Sequence, residues 1–291
     1  MSSDDLTAIF SSAEREPCAE LALVLASQSI DSEISWNGHS WVLGVPARSI
    51  ASARLQIETY AAEVRRVDPA PPAMPASGRP WPGILVYVAV MLAMALLAPE
   101  LRFGFDWFAA GRMDGGRMLA GEWWRPVTAL TLHADAAHLL GNLVFGSFFG
   151  YSVARYLGGG FGWLAIVASG ALGNFANGWL AGPNHLSIGA STAVFAALGI
   201  LSAYCWRRGF PAQASRRERF APVIAGIGLL AFTGTAGANT DIGAHLLGFV
   251  AGFGNGFLIA RLGFPVSRNA QLACAFAAVG SVVVAWLAAL S

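Results

Sequence analysis

From residue 84 onward the chain is a succession of long apolar runs with short polar connections between them. The runs cover 84–98 and then about 136–157, 161–181, 190–206, 220–236, 240–262 and 270–290. Roughly 20 apolar residues cross a bilayer as a helix, so the pattern predicts seven spans, the first of them short. The connection at 101–131 is the exception in length. It is aromatic (FGFDWF, EWWRP), and its arginines, 102, 112, 117 and 125, are nearly balanced by acids. That amphipathic character predicts a segment lying partly in the membrane surface.

Residues 1–68 follow a different pattern and predict a small α+β cytosolic domain. Pro17 opens a helical periodicity through Leu21, Val24 and Leu25. Residues 33–45 read as two strands about Asn37-Gly38, a dipeptide that favours a type I′ hairpin turn. After Pro46, the positions Ile50, Ala53, Ile57, Tyr60 and Val64 share one helical face. The expected unit is α-β-β-α, and it contains no catalytic constellation. Residues 69–83 form a Pro-rich linker, stiff and extended.

Composition agrees with the runs. The chain is 55% hydrophobic and 12% charged, with a mean hydropathy of +0.55, where a soluble domain carries about 25% charged residues. The reading is an all-α polytopic membrane protein, with no cleavable signal peptide at its start. Every basic side chain apart from histidine is arginine, which excludes Schiff-base and Ser-Lys chemistry. Cys18, Cys205 and Cys274 are too scattered for a metal site or a disulfide framework. No cofactor, metal or nucleic-acid pattern appears. Arg155, the cluster Arg207–Arg219, and Arg261 with Arg268 occupy alternate connections, while 181–189 and 236–241 hold none. Arginine-bearing connections are cytoplasmic, so the N-terminal domain is expected inside and the C-terminus outside, in a bacterial inner membrane.

Strongly polar groups inside spans are expensive and point to function. Here they are His138 and Asn142, Asn174 and Asn177, Ser191, His245 and Asn255. With this orientation His138, Ser191 and His245 fall within about one to three helical turns of the outer surface. A hydroxyl and imidazoles at one depth suit a nucleophile and its base. His138 and Asn142, four apart, share a helical face. Gly248, Gly252 and Gly256 make a small-residue stripe that lets another backbone approach closely. If that partner is the span opening at Ser191, Ser191 and His245 come within hydrogen-bond reach.

These pieces, in this order, resemble the rhomboid family of intramembrane serine proteases, over roughly residues 84–262. Trp124-Arg125 resembles the family's Trp-Arg in the first outer loop. His133, His138 and Asn142 resemble its H-x4-H-x3-N. Gly189-Ala190-Ser191 resembles its G-x-S, and His245 with Gly248 and Gly252 its H-x-x-G-x-x-x-G. The resemblance implies a six-helix core at 84–262, with an extra C-terminal transmembrane helix at 263–291. It implies a Ser191–His245 dyad, with His138, Asn142 and the Ser191 backbone N–H as oxyanion donors. Phe195 would stack on His245, His133 would shape the loop, and Arg125 would bond loop carbonyls. Phe232, Gly234 and Gly237 would lie in the lateral gate. Substrates would be single-span membrane proteins within the lipid bilayer, cut near the outer surface. One departure stands out: Thr192 follows the serine where the family commonly has glycine, which leaves a catalytically impaired, client-binding relative as the rival expectation.

Overall fold

The computed structural model describes residues 6–66, 80–99, 101–208, 215–233, 240–263 and 267–291. It divides into two compact units, Met1–Ala70 and Pro71–Ser291.

The first unit is β-α-β-β-α: β1 (Leu6–Ser12), α1 (Arg15–Ser27), β2 (Glu33–Trp36), β3 (Trp41–Pro46) and α2 (Ile50–Arg66). The antiparallel sheet runs β1-β3-β2. Its core is Cys18, Leu21 and Leu25 of α1, Leu43 and Val45 of β3, and Ala53 of α2. Two expectations need correction. Strand β1 is additional to the α-β-β-α reading; a register shift between Ala8 and Phe10 breaks its period-two alternation. The hairpin turn is also not type I′, which needs positive φ at both central residues. Only Gly38 has positive φ, at 94°. The Asn37 side chain instead accepts from the backbone N–H groups of His39 and Ser40, both at 2.9 Å, which closes a four-residue loop.

The second unit is mostly helical. It opens with α3 (Trp81–Leu97), α4 (Trp107–Gly111), β4 (Met113–Asp114), α5 (Gly115–Leu119), α6 (Arg125–Thr128), α7 (Ala136–Leu157) and α8 (Gly159–Ala181). It continues with β5 (Leu186–Ser187), α9 (Ser191–Arg208), α10 (Arg216–Thr233), α11 (Ile242–Leu262) and α12 (Arg268–Ala289). Helix α3 begins at Trp81, within the stretch expected to be linker, because a proline in the first turn lacks only an N–H that has no helical partner there. Residues 69–79 of that linker, and Gly234 and Gly237 of the expected gate, lie outside the described residues, as does the Phe232 side chain.

Helices α8, α11 and α12 are long and apolar enough to cross a membrane, and α3 is apolar but 17 residues long. The helices turn large residues outward, such as Leu140, Val144 and Phe148 on α7 and Leu172 and Trp179 on α8. Small residues face inward, among them Gly146 and Gly150 on α7 and Gly170 and Gly173 on α8. This inversion of the soluble pattern is what a lipid solvent demands: helices associate there by close packing rather than by expelling water. The chain is an integral membrane protein.

Helix α9 sits at the centre, touching α7, α8, α10 and α11. Its contact with α11 is made by the glycine stripe. A Cβ on Gly248 would lie 2.4 Å from the Thr192 carbonyl oxygen, one on Gly252 2.0 Å from that of Ala196, and one on Gly256 2.5 Å from that of Ile200. Helix α12 is fastened at both ends. Gln271 accepts from Gly160 N–H (2.7 Å) and Phe161 N–H (3.0 Å), and donates to the Leu157 carbonyl (2.9 Å). At the other end Trp286 donates to Thr131 Oγ1 at 3.1 Å and packs on Trp107.

Candidate active site

Ser191 opens α9 and His245 lies in the first turn of α11, so both side chains sit at helix N-termini on one side of the unit. The glycine stripe brings these helices so close that Ser191 Oγ and His245 Nε2 are 2.8 Å apart. His245 is buried, and Phe195, one turn into α9, packs its ring 4.5 Å from the imidazole at a 38° tilt. This contact limits imidazole rotation on that side.

Gly189, two residues before the serine, has φ +134°, a conformation that favours glycine. A Cβ there would lie 2.8 Å from His138 Cε1 and Nε2 and 3.4 Å from Ser191 Oγ. The missing side chain therefore leaves room for the His138 ring beside the serine hydroxyl. Backbone pairing fixes this approach: Gly189 N–H donates to the Ala129 carbonyl at 2.9 Å, and β5 pairs with β4.

His138 is placed by Asp135, whose carboxylate accepts from His138 N–H at 2.8 Å and caps α7. One turn on, Asn142 is buried and its Nδ2 has no hydrogen-bond partner among the described residues. A buried unpaired donor is costly, typically about 1–3 kcal/mol. The backbone carbonyl of Asn142 accepts from the Tyr87 hydroxyl of α3 at 2.7 Å. His133 stands edge-on to His138 with ring centroids 5.1 Å apart. Burial, helped by the neighbouring His138, pushes the His133 pKa down to about 4, so it is neutral at pH 7.

Trp124 and Arg125 belong to the framework of the long connection between α3 and α7, with their contacts inside it. Arg125 is 1% exposed; Nη1 donates to the carbonyls of Arg112 (2.7 Å) and Ala109 (3.2 Å), and Nε to Glu122 (2.6 Å). Trp124 is edge-on to Trp123. Gly248 and Gly252 act through packing. Thr192 is fully buried, its methyl set between Gly173 of α8 and Gly248. The two glycines leave the room its side chain needs.

A second polar cluster escapes sequence reasoning. Asn177 Nδ2 lies 2.8 Å from Asp241 Oδ2 and 2.9 Å from His185 Nε2, and His185 Nε2 lies 3.0 Å from Asp241 Oδ2. Asp241 also caps α11, accepting from Ala244 N–H at 3.0 Å. The cluster ties the end of α8, the loop leading to Ser191 and the start of the helix carrying His245. Asn177 stands out as a polar residue within a span, but His185 lies in a polar loop where nothing distinguishes it. Among the described residues no group of three His, Cys, Asp or Glu is placed to hold a metal ion.

Comparison with known proteins places this geometry in a lineage. Residues 120–262, which contain every residue of the site, match the Rhomboid domain. The chain is 30% identical over 138 residues to YdcA of Bacillus subtilis (strain 168), whose name assigns it provisionally to the rhomboid proteases; the match covers 47% of this chain and 68% of YdcA. It is 32% identical over 163 residues to the rhomboid protease GluP of the same organism, over 54% of this chain and 29% of GluP. A chain that matches the Rhomboid domain where its serine and histidine meet, and that spans two thirds of such a relative, belongs to the rhomboid family.

Proposed function

We propose that the protein is an intramembrane serine endopeptidase that works through a Ser191–His245 dyad. The observation that carries this reading is the 2.8 Å approach of Ser191 Oγ to His245 Nε2. Neutral His245 accepts the serine proton from Oγ as the hydroxyl attacks the scissile carbonyl. The imidazolium then returns that proton to the leaving amine. Water, activated by the same imidazole, hydrolyses the acyl-enzyme and frees Ser191.

The developing oxyanion is met by the Asn142 Nδ2–H, the His138 ring and the Ser191 backbone N–H. The unpartnered Asn142 donor supports this role, because a donor kept unpaired in the ground state is stabilised only when charge develops. The N-terminus of α9 adds its positive dipole end. Gly189 makes space for His138, Phe195 holds the imidazole, and Arg125, Trp124 and His133 hold the surrounding loop. Thr192 is accommodated by Gly173 and Gly248, which favours a working enzyme over a client-binding relative.

The substrates in this reading are single-span membrane proteins cleaved near the outer surface. The core is α3 and α7–α11, over residues 84–262, with α12 as a seventh span in 263–291. The arginine distribution supports a cytoplasmic 1–68 domain and an outside C-terminus. The bacterial relatives support a bacterial membrane. The test is labelling by a fluorophosphonate probe. Ser191 is expected to be the modified residue, and labelling is lost in Ser191→Ala and His245→Ala. An intact, folded protein that takes no label at Ser191 refutes the proposal.

A further inference from the structure

A cavity of about 580 Å³ lies between α3 and α12, with α8 and α9 as its floor. Its walls are almost wholly apolar, and its lips, Val86 on α3 and Leu272, Val279 and Val283 on α12, are exposed. It runs along α12 from Arg268 to Val283, a length of about 22 Å at 1.5 Å per residue.

A single hydrocarbon chain is one methylene wide, roughly 4–5 Å given carbon contacts of 3.5–4.0 Å. A groove about 22 Å long with about 580 Å³ of space has room for such a chain.

Its one charged wall residue is Arg268, at the end where α12 begins. Among the described residues no carboxylate pairs with this exposed guanidinium. The neighbouring Gln271 amide is committed to Gly160, Phe161 and Leu157. Trp81, exposed and edge-on to Tyr151, begins α3 at the same end, as aromatic residues do at a membrane interface. Guanidinium matches phosphate geometry in a bidentate pair.

We propose that this groove is a binding site for one anionic phospholipid, with its phosphate on Arg268 and one acyl chain between α3 and α12. Lipid tails gain little from leaving other tails, so the chain contributes packing contacts and the headgroup contributes the selectivity. The lipid takes no part in the Ser191–His245 chemistry, although the groove's lining extends to Ala190 beside Ser191.

The test is native mass spectrometry of the full chain in dodecylmaltoside micelles doped with phosphatidylglycerol or phosphatidylcholine. One phosphatidylglycerol per chain is expected to be retained in preference to phosphatidylcholine. Arg268→Gln should lower that preference about tenfold, the effect of losing one charge-assisted hydrogen bond. Ala275→Phe, which fills the groove, should abolish retention, and Phe276→Ala on the outward face should leave it intact. Phosphatidylglycerol should also raise the thermal midpoint of the parent but not of Arg268→Gln, which keeps the question decidable if Ala275→Phe fails to fold. Equal retention of the two lipids, retention unchanged in Arg268→Gln, or a lipid-free dimer joined through α12 overturns the proposal.

Discussion

Replacing Gly252 by alanine tests whether close helix approach creates the dyad. The added Cβ would lie 2.0 Å from the Ala196 carbonyl oxygen and 2.7 Å from its Cα, against an ordinary contact that begins at 3.4 Å. The neighbour is backbone and cannot rotate away, so α9 and α11 must part by about 1 Å or more. The Ser191–His245 distance of 2.8 Å then approaches or passes the reach of a hydrogen bond. Overpacking of this kind costs about 1–3 kcal/mol, while loss of the general base costs about 10²–10⁴ in rate. Gly254→Ala is the control: on the same helix, its Cβ meets nothing within 4 Å, and it should gain up to about 1 kcal/mol of helix propensity. Cleavage of a membrane-anchored reporter in proteoliposomes, beside thermal unfolding of each variant, makes the comparison. Gly252→Ala is expected to lose at least about 10²-fold in rate while Gly254→Ala keeps its activity. A folded Gly252→Ala protein that cleaves within about threefold of the parent refutes the link between stripe and dyad.

Four other outcomes are expected. Asn142→Ala should reduce cleavage about 10²–10³-fold without lowering the thermal midpoint, because its Nδ2 has no partner to lose. Asp241→Asn should slow cleavage about tenfold by loosening the Asn177–His185 cluster, seen as a fall in kcat at near-constant KM. His133, held down at about 4 against about 6.5 when unfolded, makes the unfolded chain bind more protons between those values. Stability is full above pH 6.5 and falls by about 3 kcal/mol as pH drops to 4; a thermal midpoint series across that window should flatten in His133→Gln. Gln271→Glu keeps acceptors for Gly160 and Phe161 but loses the donor to Leu157, so it should unfold at a temperature between the parent and Gln271→Ala.

The apolar runs located the long helices, among which α8, α11 and α12 are long and apolar enough to cross a membrane, because lipid imposes such runs and leaves few polar residues to explain. Ser191, His245, His138 and Asn142 were legible for that reason: each is an expensive exception within an apolar run. The spacing of Gly248, Gly252 and Gly256 also announced the α9–α11 contact. His185 and Gln271 were not legible. Their roles depend on which loop and helix end they meet in space, and a polar residue in a polar connection stands out from nothing. Strand β1 was hidden by its bulge. The Asn37 turn misled because the dipeptide suits type I′ intrinsically, while the Asn37 side chain here bonds two backbone N–H groups across a longer loop.

The Gln271 amide has a consequence for how the protein is made. Helices α7 and α8 are joined by a single residue, Gly158, and one side chain of α12 serves both the Leu157 carbonyl and the first N–H groups of α8. In a chain leaving the ribosome, α7 and α8 are made more than a hundred residues before that side chain exists. Through this interval the joint must borrow water or lipid headgroups as substitutes. The arrival of α12 is therefore a late assembly step, and a chain that stops short of it carries an unfinished joint.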